Sequence, residues 1–256
     1  MDSTRLRLIL LLLILAVGCG KNPKPTTPAN IPSDQVLYDQ GTAALEKEDW
    51  DKGRTLLQQL VDSYPQSALA QRARIAIADS HFKQNDETHR AQAAVEYQTF
   101  ISLYPFSEWA AYSQFQLGML RFRRMRIAAR DQTETRDALQ AFQRVVSEYP
   151  GSQYADQARQ KAVECQDRLA EHELTVGIFY YKRKSYASAV SRFKLVMAEY
   201  PNFSQMDKLY FYLGESLAKD GKRDEAVPYY QKVADKSPPS EYKQKSLERL
   251  REFGPK

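Results

Sequence analysis

The sequence contains few of the residues on which enzymes and metal sites depend. Its 256 residues include two cysteines and three histidines. No histidine lies four residues from another or beside a cysteine, so the usual zinc-ligand spacings are missing. Glycine-rich phosphate loops and the Gly-x-Ser-x-Gly turn of hydrolases are missing as well. These absences predict a chain with no catalytic residues, no metal site and no cofactor.

The alternating pattern of a half-buried strand is lacking too. Apolar residues recur every three or four positions, as they do on one face of an α-helix. The sequence therefore predicts an all-α fold. Cys165 lies among apolar residues of a predicted helix, which indicates a small buried core residue, with a redox role as the alternative.

The one long apolar run lies at the N-terminus. Leu8 to Val17 is an unbroken run of ten apolar residues, about half the length that spans a bilayer. Residues 1–18 are therefore predicted to be a secretory signal peptide. Ala16-Val17-Gly18-Cys19 resembles a bacterial lipobox, although Ala16 replaces the usual leucine, and this implies that Cys19 is lipidated. The alternative is an ordinary signal peptide in which Cys19 has no such role.

Residues 19–33 predict a tether. This segment is rich in proline and poor in apolar residues, so it should stay extended at about 3.1 Å per residue and hold a folded body away from a membrane. Gly20 follows the cysteine where an aspartate would favour the inner membrane of enteric bacteria, which implies a lipid anchor in the outer membrane. Loss of residues 1–18 removes two arginines and one aspartate and lowers the net charge from +5 to +4, too little to suggest nucleic-acid binding.

Two small residues and a proline recur at intervals of twelve. A small residue in each of two antiparallel helices lets the helices touch closely, and the proline ends the second helix because it lacks an N–H. Pro105 and Pro150 end two further runs of this kind. The pattern resembles the 34-residue tetratricopeptide (TPR) repeat. The three clearest sets are Gly41–Gly53–Pro65, Gly177–Ala189–Pro201 and Gly214–Ala226–Pro238.

Two repeats depart from this spacing. In the second, Ala78 fits the helix contact better than His81 if the turn from Gln84 to Arg90 is longer than usual. In the third, Gly118 and Ala138 lie 20 residues apart, which predicts an eight-residue insertion in the turn.

The C-terminal half predicts one long helix and a cap. Residues 154–184 keep helical spacing without a breaker, and residues 240–253 form an amphipathic helix suited to closing a stack of repeats. The predicted fold is a superhelical solenoid of five TPR-like helix pairs with a C-terminal capping helix. Repeats 1–3 occupy residues 34–149, and repeats 4–5 with the cap occupy residues 150–256.

The first helices of TPR pairs line a concave groove. In known members, positions 2, 5, 9 and 12 of that helix face the groove, and here several of these positions are apolar or aromatic. Such a surface suits an extended peptide with aromatic side chains. The alternative is that most of these rings belong to the core or pack under the inserted loop of the third repeat. The candidates are Tyr38, Leu45, Ile75, Phe82, Tyr112, Phe115, Met119 and Phe122.

Residues 121–130 contain five arginines at the end of a predicted helix. Positive charge there complements the negative end of the helix dipole, which is a sufficient structural explanation. The functional alternatives are a dock for an acidic partner or a peptide carboxylate, and contact with anionic lipid headgroups. The docking candidates are Arg123, Arg124 and Arg126.

Together these features resemble the BamD family of outer-membrane β-barrel assembly lipoproteins. The lipobox, the tether and the Tyr-Pro repeat ends all fit, and the most specific match is Tyr149–Tyr154 (YPGSQY) followed by Asp167–Ala170 (DRLA). The resemblance covers roughly residues 15–240. A different TPR lipoprotein facing the periplasm, such as a cell-division coordinator or a secretion pilot, is the alternative.

The resemblance implies a non-catalytic adaptor with two halves. Repeats 1–3 would receive the C-terminal segments of unfolded outer-membrane proteins, which end in an aromatic residue. Repeats 4–5 would dock on the POTRA domains of a BamA-like barrel subunit, beside other assembly lipoproteins. Arg168, Arg192 and Lys194 are the docking candidates there, with ordinary solvated charge as the alternative.

Overall fold

The computed structural model describes residues 32–236 and 239–253, and this part of the chain is all helical. The all-α prediction is confirmed. The predicted signal peptide, Cys19 and nearly all of the tether lie outside the described residues. The helices are α1 (Asp34–Glu46), α2 (Trp50–Ser63), α3 (Ala68–Gln84), α4 (Glu87–Leu103), α5 (Glu108–Phe122), α6 (Thr133–Glu148), α7 (Ala155–Lys182), α8 (Tyr186–Glu199), α9 (Met206–Lys219), α10 (Arg223–Lys236) and α11 (Glu241–Phe253).

The helices stack in chain order as five pairs and a cap. Each helix packs on the next, and first helices of neighbouring pairs also contact one another: α1 with α3, α3 with α5, α7 with α9, and α9 with α11. The odd-numbered helices therefore form one layer, called here the first-helix layer, and the even-numbered helices form the other. This arrangement confirms the predicted solenoid.

The same local signals begin and end the helices. Serine side chains cap α1, α3 and α5 by accepting a hydrogen bond from a backbone N–H two or three residues on. Four of the five second helices end where a tyrosine N–H makes the last bond, to the carbonyl four residues back, because the proline that follows has no N–H to donate. These tyrosines are Tyr64, Tyr104, Tyr149 and Tyr200.

Glycine permits the close helix contacts that the spacing predicted. A Cβ atom placed on Gly41 would lie 2.7 Å from Leu57 Cγ, and one on Gly118 would lie 2.6 Å from Phe142 Cε1. Real Cβ atoms do not approach carbon so closely, so a larger residue would push the helices apart. In the fourth pair, the ring of Phe193 covers Gly177 in the same way.

The predicted long turn in the second repeat is wrong. Only Asn85 and Asp86 separate α3 from α4, and each of these helices is 17 residues long. Asn85 has the left-handed φ of 57°, and Asp86 caps α4 by accepting from the His89 N–H at 3.0 Å. The additional residues lengthen the helices because nothing between Ala78 and Asn85 interrupts helical hydrogen bonding. Ala78 itself is fully buried.

The predicted insertion and the long helix are confirmed. Residues 123–132 connect α5 to α6, and the Gln132 side chain braces this loop by donating to the carbonyls of Ile127 and Arg130, both at 3.0 Å. The loop packs on α7, where His172 Nδ1 lies 2.6 Å from the Ala128 carbonyl oxygen. The 28 residues of α7 match the predicted long helix to within two residues at each end.

Cys165 is fully buried in the core between α6 and α7, as predicted. Its Sγ lies 3.8 Å from Met125 Sδ of the inserted loop. Burial raises the pKa of the Cys165 thiol to about 12, so the reactive thiolate is scarce at neutral pH.

The capping helix α11 closes the C-terminal core. Leu250 and Phe253 pack against the cluster formed by α7 to α10, as the amphipathic pattern predicted. Ser246 is fully buried on the same face.

Candidate functional site

The eight groove candidates divide into buried and half-buried side chains. Ile75, Phe82 and Phe115 are 4%, 8% and 8% exposed, so their main role is in the core. The other five remain half-buried on the first-helix layer, where part of each side chain is accessible. They are Tyr38, Leu45, Tyr112, Met119 and Phe122.

Phe82 is buried in a core cluster with Tyr97 and Leu120, and Arg123, the first residue of the inserted loop, covers its ring. The guanidinium of Arg123 lies 3.9 Å from the centroid of the Phe82 ring, a favourable cation–π distance. Arg123 therefore has a structural partner inside the chain. A residue 41 positions away in sequence supplies this cover, so spacing within one helix could not predict it.

The neighbouring arginines differ in how they are paired. Arg121 and Arg124 both reach Glu134 at the start of α6, at 3.3 Å and 3.0 Å. Arg126 is exposed on the inserted loop. Since α6 begins at Thr133, Glu134 carries its charge at the positive end of that helix dipole and pairs with arginines at the negative end of α5.

Aromatic rings join the third and fourth repeats along the first-helix layer. The Tyr112 ring lies 5.9 Å from Trp109 and 5.4 Å from Tyr154, measured between centroids. Phe115 stacks on Tyr154 at 5.7 Å. Tyr154 immediately precedes α7, so this aromatic strip runs from α5 to the start of the long helix.

Asp79 of α3 lies beside this strip and was not anticipated from the sequence. Its Oδ1 accepts hydrogen bonds from Tyr97 of α4 at 2.5 Å and from Tyr112 of α5 at 2.8 Å. Burial raises the pKa of Asp79, and the two hydroxyl donors and the charge of Lys83 oppose that rise without cancelling it. The carboxylate is thus held in place but incompletely stabilised in its charged form.

A second carboxylate, Glu215 of α9, lies in the C-terminal half. Its Oε1 accepts from Tyr230 at 2.8 Å and from Arg249 Nε at 2.6 Å. Its Oε2 accepts from Arg249 Nη2 at 3.1 Å and from Tyr181 at 3.3 Å. Burial acts to raise the pKa of Glu215, but these hydrogen bonds and the arginine charge outweigh it, so the pKa lies below its usual value.

The C-terminal docking candidates are only partly free. Arg168 pairs with Glu171 at 3.2 Å and Arg192 pairs with Glu173 at 2.9 Å, whereas Lys194 is exposed on α8. 

The DRLA segment has a structural role as well. Its Asp167 accepts from the Ser204 N–H and hydroxyl, both at 2.7 Å, and so ties α7 to the turn before α9.

Within residues 32–236 and 239–253, none of the helices combines the length and the apolar character of a membrane span. Likewise, no group of three or more histidine, cysteine, aspartate or glutamate side chains in that part of the chain is placed to hold a metal ion.

Comparison with known proteins gives matches over most of the chain. "Outer membrane protein assembly factor BamD" of Caulobacter vibrioides is 29% identical over 233 residues, which cover 89% of this chain and 75% of the relative. The protein of the same name from Haemophilus influenzae is 25% identical over 223 residues, covering 83% of each. A solved TPR protein from Thermus thermophilus aligns with 85% of this chain and 99% of its own, at 16% identity and a TM-score of 0.35.

These relatives confirm the resemblance to the BamD family. The sequence model of the family YfiO, described as outer membrane lipoprotein, matches residues 31–228. Because that match spans well over half of the 256 residues of this chain, the chain belongs to the YfiO family of outer membrane lipoproteins.

Proposed function

We propose that this chain is a non-catalytic adaptor lipoprotein of the machinery that assembles β-barrel proteins in the outer membrane. The match to the family over residues 31–228, with relatives named as assembly factors, is the observation that carries the proposal. In this proposal, a lipid on Cys19 holds the chain at the periplasmic face of the outer membrane. The folded repeats then act by presenting surfaces to other proteins.

Depletion of the chain tests this role. Folded outer-membrane barrels, measured by their altered gel mobility without heating, are expected to decrease while unfolded precursors accumulate. Normal barrel levels after complete depletion would contradict the assembly role. Labelled palmitate tests the anchor separately: incorporation should occur in the natural chain and disappear in the Cys19→Ser variant.

Within this role, the first-helix layer of repeats 1–3 is the proposed client surface. Its half-buried side chains, among them the rings of Trp109, Tyr112 and Tyr154, offer contacts to an extended segment that ends in an aromatic residue. Aromatic contacts bury large areas at low cost in side-chain entropy. The surface is continuous across α1, α3 and α5 because these helices pack side by side.

Site-specific photo-crosslinking can locate the client. A photoreactive residue at Tyr38 or Phe122, on the first-helix layer, is expected to capture unfolded barrel precursors. The matched control is Val95, which is 62% exposed on α4 of the other layer. Equal capture from both layers would refute the assignment of the groove.

Repeats 4 and 5 are the proposed docking half for a BamA-like subunit through its POTRA domains, and for other assembly lipoproteins. Lys194 gives the sharpest test, because Arg168 and Arg192 already have acidic partners within the chain. Lys194→Glu is expected to reduce co-purification of the barrel subunit. Lys52→Glu, an exposed change of equal charge on α2, should leave co-purification unchanged. Equal recovery with both variants would remove Lys194 from the interface.

The exposed Arg126 is the remaining docking candidate on the inserted loop. Arg123 and Arg124 are committed to Phe82 and Glu134, so their replacement would perturb the loop as well as any partner. Arg126→Glu therefore tests this loop as an acidic-partner dock with the least structural disturbance.

A further inference from the structure

Asp79 and Glu215 occupy the same position of two different repeats. Asp79 follows Ala78, and Glu215 follows Gly214, in each case directly after the small residue of the helix contact. The hydroxyl that reaches each carboxylate comes from the second helix of the same pair. Tyr97 lies four residues after the buried Ala93, and Tyr230 lies four residues after the buried Ala226.

The two sites differ in what completes them. The carboxylate of Glu215 uses both oxygens, because the capping helix supplies the guanidinium of Arg249 to Oε1 and Oε2. At Asp79, both tyrosine hydroxyls donate to Oδ1. No residue in the described part of the chain donates a hydrogen bond to Asp79 Oδ2.

Asp79 Oδ2 has no hydrogen-bond partner among the described residues but is not completely enclosed, so part of its surface is accessible. The Asp79 side chain is nevertheless half-buried, and burial raises its pKa because the charge is incompletely compensated. Lys83 acts on it only at a distance, whereas Glu215 has a guanidinium in direct contact.

The surroundings of Asp79 also favour a cation. Tyr112, which donates to the carboxylate, belongs to the aromatic strip with Trp109 and Tyr154. Ring faces beside a carboxylate attract a planar guanidinium, which can stack on a ring while its N–H groups reach the acid.

We propose that Asp79, Tyr97 and Tyr112 form a receptor for an arginine side chain of the client segment, as Glu215, Tyr230 and Tyr181 hold Arg249. The inference rests on the proposed function, in which the first-helix layer binds unfolded barrel segments. It adds a charge requirement to an otherwise aromatic surface. The client arginine donates to Asp79 Oδ2, and the tyrosines keep the carboxylate oriented.

Synthetic peptides that end in phenylalanine and carry one arginine, scanned along the peptide, test the proposal. Each arginine peptide is paired with one in which citrulline, an uncharged group of the same shape, replaces arginine. Affinity is measured by fluorescence anisotropy with the full chain. At the best position, citrulline should weaken binding about tenfold, since a hydrogen bond to a charged group contributes about 1.5 kcal/mol or more.

Asp79→Asn should abolish that tenfold preference and leave the binding of the citrulline peptide nearly unchanged. The control Asp62→Asn, an exposed change on α2 with the same loss of charge, should keep the preference. If the natural chain and Asp79→Asn show the same preference for arginine over citrulline, the arginine receptor is overturned. That result would not contradict the client groove. No binding by any peptide would overturn both the groove and the receptor.

A second measurement covers the case in which Asp79→Asn does not fold. The NMR chemical shift of the Asp79 carboxyl carbon in the natural chain should change when the arginine peptide is added. It should not change when the matching citrulline peptide is added. Equal shifts with both peptides would overturn the proposal.

Discussion

Replacement of Glu215 by glutamine should destabilise the C-terminal repeats selectively. Glu215 is 4% exposed and accepts hydrogen bonds from side chains of α7, α10 and α11. Removal of one partner from a buried ion pair costs about 3–5 kcal/mol. The Arg249 side chain is 35% exposed, so water can compensate part of the loss, and we expect about 2–3 kcal/mol.

Native-state hydrogen exchange is the suitable assay, because a stack of repeats opens locally as well as globally. Amides of α9 to α11 should exchange faster in Glu215→Gln, by about thirtyfold or more at neutral pH, whereas those of α1 to α4 should not change. Glu252→Gln is the matched control, since Glu252 also pairs with Arg249 but is 56% exposed. Equal effects of the two variants would refute the importance of burial at Glu215.

The pH dependence supplies a second check with a defined sign. The pKa of Glu215 is lower in the folded chain than in the unfolded chain. Its ionisation therefore contributes stability above the unfolded pKa of about 4.3, and this contribution is lost as the pH falls through the folded pKa. The natural chain and Glu215→Gln should therefore differ less in their free energy of unfolding as the pH falls through that acidic range. If the difference in free energy of unfolding stays constant with pH, the ionised Glu215 is not the source of this stability.

Two further predictions concern the core. Gly118→Ala should lower the thermal unfolding midpoint, because the added Cβ would lie 2.6 Å from the buried Phe142 ring. Overpacking of this kind costs about 1–3 kcal/mol, which outweighs the gain of about 1 kcal/mol in helix propensity. Gly151→Ala is the control, with no atom within 4 Å of the added Cβ, and an equal loss there would refute the steric explanation. Cys165 should resist alkylation in the folded chain and react after the chain is unfolded in urea, because it is buried and its thiol pKa is raised. Mass spectrometry of the peptide that contains Cys165 measures the labelling. Rapid labelling of the folded chain would contradict the burial of Cys165.

The helix pairs were predictable because their signals are local. A glycine, a second small residue and a proline act within one hairpin, and each does so through sterics that the sequence displays. The insertion after Gly118 and the long α7 were visible for the same reason. The turn after α3 could not be predicted in this way. Extra residues can lengthen either the helix or the loop, and the sequence there has no helix-breaking residue that would indicate which.

The polar sites depend on contacts between distant residues. A carboxylate in a helix is usually surface charge, so Asp79 gave no signal alone, and its partner Tyr112 lies 33 residues away. Comparison of Ala78-Asp79 with Gly214-Glu215 across the repeats could have identified both carboxylates. Packing of the groove rings under the inserted loop was an open alternative, but only the path of that loop shows that Arg123 lies on Phe82.

The two carboxylate sites show that one repeat position can have different hydrogen-bond partners in different repeats. In the last repeat, the capping helix follows directly, and its Arg249 donates to both carboxylate oxygens of Glu215. At Asp79, the following first helix is α5, which supplies Tyr112 but no guanidinium. A cation that binds there stabilises the folded repeats by an amount set by its concentration and affinity. On the proposal above, the chain itself completes the polar site of its C-terminal half, whereas an arginine of the client completes the polar site of its N-terminal half.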